Sequence, residues 1–205
     1  MDSGFRPEDV ELVDRRTAYR GFARLDVLEL RHRRFAGGMG PVIKREVLIR
    51  PVGVGVIIYD PVGDLVLLVE QFRIGALTAG LDSPWQLEVV AGLVDEGELP
   101  EHVARREAVE EAGVVLGRTE YLFDFLMSPG SSNERFHLYV AEADLSAAGG
   151  VHGLPEEGED IRVVVCPSDQ ALDALAAGRI TNAPALLALH WFRQNRDRLR
   201  ADWRK

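Results

Sequence analysis

Three carboxylates stand out by their spacing. Glu107, Glu110 and Glu111 fall inside one helix-forming stretch, Pro100 to Ala112. At about 100° per residue they span an arc of only ~100° on the helix surface. Ala104, Ala108 and Ala112 recur at i, i+4 and i+8 and form the adjacent stripe, small enough to let the helix lie close against a sheet. The acids then sit at the margin of that contact rather than far out in solvent. Like charges so arranged repel unless a cation lies among them, and hard divalent ions such as Mg2+ and Mn2+ take carboxylate oxygens well. Arg106, four residues before Glu110, can brace it. Taken alone, the helix has a second reading, a solvated acidic face paired with nearby arginines.

The surrounding pattern supplies a sheet for that helix. Phe22 to Leu30 and Val42 to Ile49 are β-prone and flank the turn cluster Gly37-Gly38-Met39-Gly40, which predicts an N-terminal antiparallel hairpin. Val52 to Tyr59 reads as a buried strand whose two glycines let another backbone approach. Asp60 to Asp64 is turn chemistry, and Leu65 to Phe72 is the returning strand. After a loop with Gly75, Gly80 and Pro84 comes a strand from Gln86 to Ala91. Proline in the first turn and Gly113 just past the end suit the helix Pro100 to Ala112. Tyr121 to Leu126, Arg135 to Ala143 and Ile161 to Cys166 are further strands. A second helix runs from about Asp169 to Ala177, capped by Ser168 and closed by Gly178, and a third covers about Ala183 to Leu199. Gly149 to Asp160 is a polar, acid-rich loop. The fold class is α+β, an α/β/α sandwich with a mixed sheet and flanking helices. Two segments are expected, a β-rich 1–50 and a main domain over 51–200.

The chain has 205 residues, 33 acidic against 24 basic, and a formal charge of −9. That balance argues against nucleic acid as a partner, since phosphate neutralisation needs a basic face. A phosphate-bearing small molecule remains compatible if a metal ion supplies positive charge. A single cysteine, Cys166, excludes an intrachain disulfide and a multi-cysteine zinc site, and at the end of an apolar run it reads as a buried small hydrophobe. The five histidines are scattered, with no ligand pair at i, i+4. No secretory signal and no membrane-length apolar run is seen, so the expected location is the cytoplasm, with no membrane partner.

From Gly92 to Val114 the residues are Gly92, five residues, Glu98, seven residues, Arg106-Glu107, then Glu110-Glu111, one residue and Gly113. This resembles the box G-x5-E-x7-R-E-U-x-E-E-x-G-U of the Nudix hydrolases, with its seven charged and glycine positions filled. Val114 fills the second U, and Ala108 stands where a bulky aliphatic is usual. From about Val10 onward the chain is similar to the bacterial ADP-ribose pyrophosphatase branch of that family. Pro129, within Ser128-Pro129-Gly130, matches a proline associated with ADP-ribose specificity, and TAYRGFARLDV with LRHRRFAGG resembles a dimerisation and adenine-binding segment.

The resemblance implies a Nudix fold and a set of roles. The carbonyl of Ala91 and the carboxylates of Glu107, Glu111 and Glu159 would hold Mg2+, two to three ions per site, with Mn2+ as the alternative. Glu157, Glu110 and Arg106 make up the catalytic set: Glu157 falls where the general base sits, with Glu156 or Glu159 as alternatives, and Glu110 is a supporting or additional ligand. Substrate contacts would come from Phe22, Ala23, Arg45, Glu46, Arg73, Leu93, Ser128, Gly130 and Glu134. Phe22 could stack on adenine, and Arg45 and Arg73 could bind diphosphate or ribose oxygens. An edge-strand aromatic and two surface arginines are the plainer reading of those three. The implied reaction is Mg2+-dependent hydrolysis of ADP-ribose to AMP and ribose 5-phosphate by a homodimer with exchanged N-terminal segments. A hydrolase of other nucleoside diphosphate sugars such as GDP-mannose, and a non-catalytic ADP-ribose sensor, are the alternatives.

Overall fold

Alternation and β-branched residues make strands of most of the N-terminal half. The computed structural model describes residues 4–204, leaving aside the side chain of Glu157. These residues divide into two compact units: those up to Pro51 together with Leu126–Arg135, and Val52–Phe125 together with those from Phe136 on.

The first unit holds three antiparallel strands, β1 (Val10–Arg20), β2 (Arg24–His32) and β3 (Ile43–Ile49), in the order β1-β2-β3. The expected hairpin is present as β2 and β3, and β1 is an addition to it. β1 gave little signal because all eleven of its residues are exposed and its alternation is broken by register shifts at Leu12/Asp14 and Thr17/Tyr19. Segment 126–135 docks on β3: Leu48 N donates to Ser131 O (2.8 Å) and Arg50 N to Asn133 Oδ1 (2.8 Å).

The second unit contains β4 (Gly53–Asp60), β5 (Leu65–Phe72), α1 (Ile74–Thr78), β6 (Trp85–Glu88), β7 (Val90–Leu93), α2 (Pro100–Ala112), β8 (Thr119–Leu126), β9 (Arg135–Glu142), β10 (Val151–His152), β11 (Ile161–Pro167), α3 (Ser168–Ala176) and α4 (Ala183–Trp203). An eight-stranded sheet runs β10-β11-β5-β4-β9-β8, with β6 paired to β5 and β7 to β4. The β4–β9 pair is parallel and β4–β5 antiparallel, so the sheet is mixed.

Helices cover both faces. Val54, Val56 and Ile58 of β4 pack with Val103, Ala104, Ala108 and Ala112 of α2, while Tyr59 of β4 meets Phe192 of α4 edge-on at 5.0 Å between ring centres. Each large aliphatic side chain so buried contributes roughly 1.5–3 kcal/mol. The alanine stripe is fully buried, as its spacing predicts.

Three expectations are corrected. The single strand Gln86 to Ala91 is two strands meeting at buried Val89, because β6 pairs with the end of β5 and β7 with the start of β4. The two glycines of β4 make room for a side chain rather than a backbone: the ring of Phe136 lies over both, 2.6 Å from a β-carbon built at Gly53 and 2.7 Å from one at Gly55. Ser168 is the first residue of α3 rather than its cap, and its hydroxyl donates to Asp64 O (3.0 Å).

Candidate active site

The divergence of β4 and β5 places the acids. These strands pair only at Ile58–Asp60 with Leu65–Leu67, and β6 and β7 fill the widening gap. Ala91 and Gly92 lie on β7, directly under α2, which ends at the left-handed Gly113 (φ 65°).

Glu111 is only 2% exposed, and its Oε2 accepts from Ala91 N at 3.0 Å. Burial pushes its carboxyl up to about 8, opposed by the Ala91 hydrogen bond and reinforced by the charge of Glu107. Glu107 is pushed up to about 7, again chiefly by burial, against the attraction of Arg106 and with added repulsion from Glu110 and Glu159. Burial thus disfavours the charged form of both the buried Glu111 and the largely buried Glu107, a cost that a nearby cation would relieve.

Arg106 is the hub of the box. Its Nη1 donates to Glu107 Oε1 (2.7 Å) and Glu110 Oε2 (3.0 Å), and its Nη2 to Glu98 Oε2 and Leu93 O, both at 3.3 Å. Arg106 therefore holds carboxylates in place, and the predicted bracing of Glu110 is found.

The acidic loop reaches the same helix: Gly153 N donates to Glu110 O (3.2 Å), and Leu154 N to Glu159 Oε2 (3.0 Å). Glu159 acts electrostatically on both Glu107 and Glu111. Glu157 ends the 3-10 turn Pro155–Glu157, and its side chain lies outside the described residues. Arg73 follows β5, donates to Glu88 through Nε and Nη2, and also acts on Glu111 and Glu159.

Ala91, Leu93, Arg73, Arg106, Glu107, Glu110, Glu111 and Glu159 thus belong to the second unit. Phe22, Ala23, Arg45, Glu46, Ser128, Gly130 and Glu134 belong to the first. There Phe22 is 84% exposed, with the Arg50 guanidinium 5.0 Å from its ring centre. Arg50 also lies 3.9 Å from Glu134. Arg45 donates to Lys44 O (2.8 Å). Two residues escaped sequence reasoning, Arg50 and Glu88. Glu88 left no local signal, since only the pairing of β6 with β5 sets it opposite Val69.

Among the described residues no three acidic, histidine or cysteine side chains close on one point as a finished ligand cage. Arg106 draws Glu107 and Ala91 N draws Glu111, which separates like charges. The donor set nonetheless fits a hard divalent cation: its side-chain donors are carboxylate oxygens, and burial penalises the charge of two of them at a cost that a cation would relieve. Among the described residues no helix is long and apolar enough to cross a membrane.

The chain is 44% identical over 199 residues to the ADP-ribose pyrophosphatase of Escherichia coli (strain K12), covering 97% of this chain and 95% of that one. It is 36% identical over 156 residues to the GDP-mannose pyrophosphatase of Escherichia coli O1:K1 / APEC, covering 74% and 78%. A crystal structure of an ADP compounds hydrolase shares the fold, with a TM-score of 0.68 at 22% identity over 96% of this chain and 97% of that one. The family profile described as the NUDIX domain matches residues 49–189. With its α/β/α layering and its box of charged residues on α2, the chain belongs to the NUDIX domain family.

Proposed function

We propose that this protein is a divalent-metal-dependent hydrolase that splits the diphosphate of ADP-ribose into AMP and ribose 5-phosphate. The observation that carries the proposal is the pair Glu107 and Glu111, one turn apart on the face of α2 turned to β7, with carboxyls that burial pushes up to about 7 and 8. Such a pair is costly to the fold and suits a site that takes up positive charge. The 44% identity with an ADP-ribose pyrophosphatase over nearly the whole chain supports the choice of substrate.

Glu107, Glu111, Glu159 and the carbonyl of Ala91 would hold Mg2+ or Mn2+, two to three ions, whose chemistry is to neutralise phosphoryl oxygens and acidify bound water. Glu107 and Glu111 offer their oxygens from a rigid helix, and Arg106 keeps Glu107, Glu110 and Glu98 in register. Glu157 accepts the proton of the attacking water. It ends the short turn Pro155–Glu157, in the loop whose Gly153 N donates to Glu110 O of α2. Arg73 binds a diphosphate oxygen, and the backbone at Leu93 borders the same region. Phe22, Ala23, Arg45, Glu46, Ser128, Gly130 and Glu134 receive the adenosine and ribose.

The working form is a homodimer with exchanged N-terminal segments. Exposed Val10, Leu12, Val13 and Tyr19 on β1, with an open strand edge, support this reading. Light scattering at twice the chain mass is expected, and a monomer would refute it.

The deciding experiment is product analysis with Mg2+ and ADP-ribose, GDP-mannose or UDP-glucose. AMP and ribose 5-phosphate as the preferred products are expected. Preference for GDP-mannose would move the substrate, and tight ADP-ribose binding without turnover would make the protein a sensor.

A further inference from the structure

Glu88 has no place in the box or in the acidic loop, yet it is a carboxylate only 12% exposed at the point where β6 gives way to β7. Its single cationic partner among the described residues is Arg73, which it grips along one edge: Nε lies 3.1 Å from each carboxylate oxygen and Nη2 lies 2.7 Å from Oε2. That edge-on geometry fixes the plane of the guanidinium as well as its position. Nη1 has no hydrogen-bond partner among the described residues, so one edge of the fork is occupied and the opposite corner is available.

Register shows which face this pair occupies. Glu88 stands directly opposite Val69, and Val69 packs into the cluster beneath α2. Residues two apart share a face, so Arg73 follows Val69 and Gln71 toward the side that carries Glu107 and Glu111. The charges of Glu111 and Glu159 act on Arg73, consistent with this placement.

The strand beneath Glu88 is itself held. Asn182 caps α4 by accepting from Ala185 N (3.0 Å), and its Nδ2 donates to Leu87 O at 2.7 Å, one residue before Glu88. Thr181 donates to Gln86 on the same strand. A line of contacts therefore runs from the α4 terminus through β6 to Glu88 and on to Arg73.

An arginine beside an acidic cluster has a competing destination. With long, rotatable side-chain bonds, an unclamped Arg73 would turn toward Glu111 and Glu159 and spend its charge there. We propose that Glu88 is a positioning residue that holds the Arg73 guanidinium away from the acidic cluster and presents Nη1 to the diphosphate of the substrate. This rests on the hydrolase reading and on Arg73 as a diphosphate ligand.

The test is a double-mutant cycle of Glu88→Gln and Arg73→Ala, read as the Kd of a nonhydrolysable ADP-ribose analogue in the presence of Mg2+ and as KM and kcat for ADP-ribose. Glu88→Gln is expected to weaken analogue binding and raise KM about tenfold while kcat changes less than about threefold, as loss of ground-state binding does. In the Arg73→Ala background the same substitution should add nothing, because its effect passes through the arginine. Additive effects, or an unchanged Kd and KM in Glu88→Gln, overturn the proposal. If Glu88→Gln does not fold, Glu88→Asp carries the same cycle, since it keeps the charge but withdraws it by one methylene. A wild-type protein that binds the analogue without turnover sinks the hydrolase reading alone, because the coupling between the two residues is still read from Kd.

Discussion

A β-carbon built on Gly92 would lie 1.7 Å from Oε1 of Glu107, 2.1 Å from its Cδ and 2.6 Å from its Cγ. The first glycine of the box is therefore a seat for Glu107, the first of the three clustered carboxylates of the helix. It gives α2 and β7 the clearance that brings Glu107 and Glu111 over the Ala91–Gly92 backbone.

Gly92→Ala should unseat Glu107. The backbone tolerates the substitution, so the cost falls on the displaced carboxylate and its bond to Arg106. Activity is expected to fall by about 100-fold, in line with an ångström-scale misplacement of a catalytic group. Mg2+ affinity measured by calorimetry should weaken in parallel, and wild-type affinity with full activity would remove Glu107 from the metal site.

The raised carboxyls make the metal-free protein sensitive to alkali. Between about pH 4.5 and 8 the native state holds protons on Glu107 and Glu111 that the unfolded chain has released. Stability without metal therefore declines as pH rises through that window, since the native state binds more protons than the unfolded one. Melting temperatures without metal should be lower at pH 8.5 than at pH 5.5, and saturating Mg2+ should recover most of the difference. Glu111→Gln keeps an acceptor for Ala91 N and removes the buried charge. It should flatten the metal-free profile while abolishing most turnover.

Much of this site was legible because its spacing is helical. Glu107, Glu110 and Glu111 share a face by arithmetic, and the alanine stripe beside them forces that face against the sheet. Strand β1 and Glu88 were not legible, for different reasons. β1 buries nothing within its own unit, so no apolar alternation marks it. Glu88 depends on a change of partner at Val89, where a continuous β-prone run hides a break that only pairing with both β4 and β5 reveals. Charge pairs across long sequence separations, such as Asp64 with Arg196, leave no local pattern at all.

Asp64 itself supplies an acid-sensitive clasp far from the box in sequence. It sits at φ 56° in the β4–β5 turn and accepts from Arg196 Nε (3.0 Å), Arg200 Nη1 (3.0 Å) and Tyr59 Oη (2.9 Å). The Arg196 hydrogen bond, foremost, holds its carboxyl down at about 2, from an ordinary 3.8. A depressed pKa stabilises above pH 4, and that contribution disappears as pH falls through 2. Asn tolerates the left-handed conformation, so Asp64→Asn isolates the charge. It should cost about 2 kcal/mol at pH 7 and nothing near pH 2, with activity at 25 °C unchanged. Urea unfolding at both pH values checks this, and an equal loss at both would assign the effect to shape.

Arg106 tests whether the box needs a fork or only a positive charge. The guanidinium serves Glu107, Glu110, Glu98 and Leu93 O at once, using all three nitrogens. A lysine ammonium is a point charge on one stem and cannot span acceptors on the helix, the preceding loop and strand β7 at once. In Arg106→Lys it would stay with Glu107 and Glu110, which lie nearest, and release Glu98 and the strand carbonyl. The loop between β7 and α2 would then lose its tie to the helix, while the two carboxylates most exposed to mutual repulsion kept a counter-charge. The expected result is a fall in kcat/KM of about 10-fold with Mg2+ affinity changed less, because positioning rather than charge is lost. Glu98→Gln should reproduce about the same kinetic loss if the tie is what matters. A full-activity Arg106→Lys would show that charge alone suffices, and that the spread of Arg106 over four acceptors serves the fold and not the reaction.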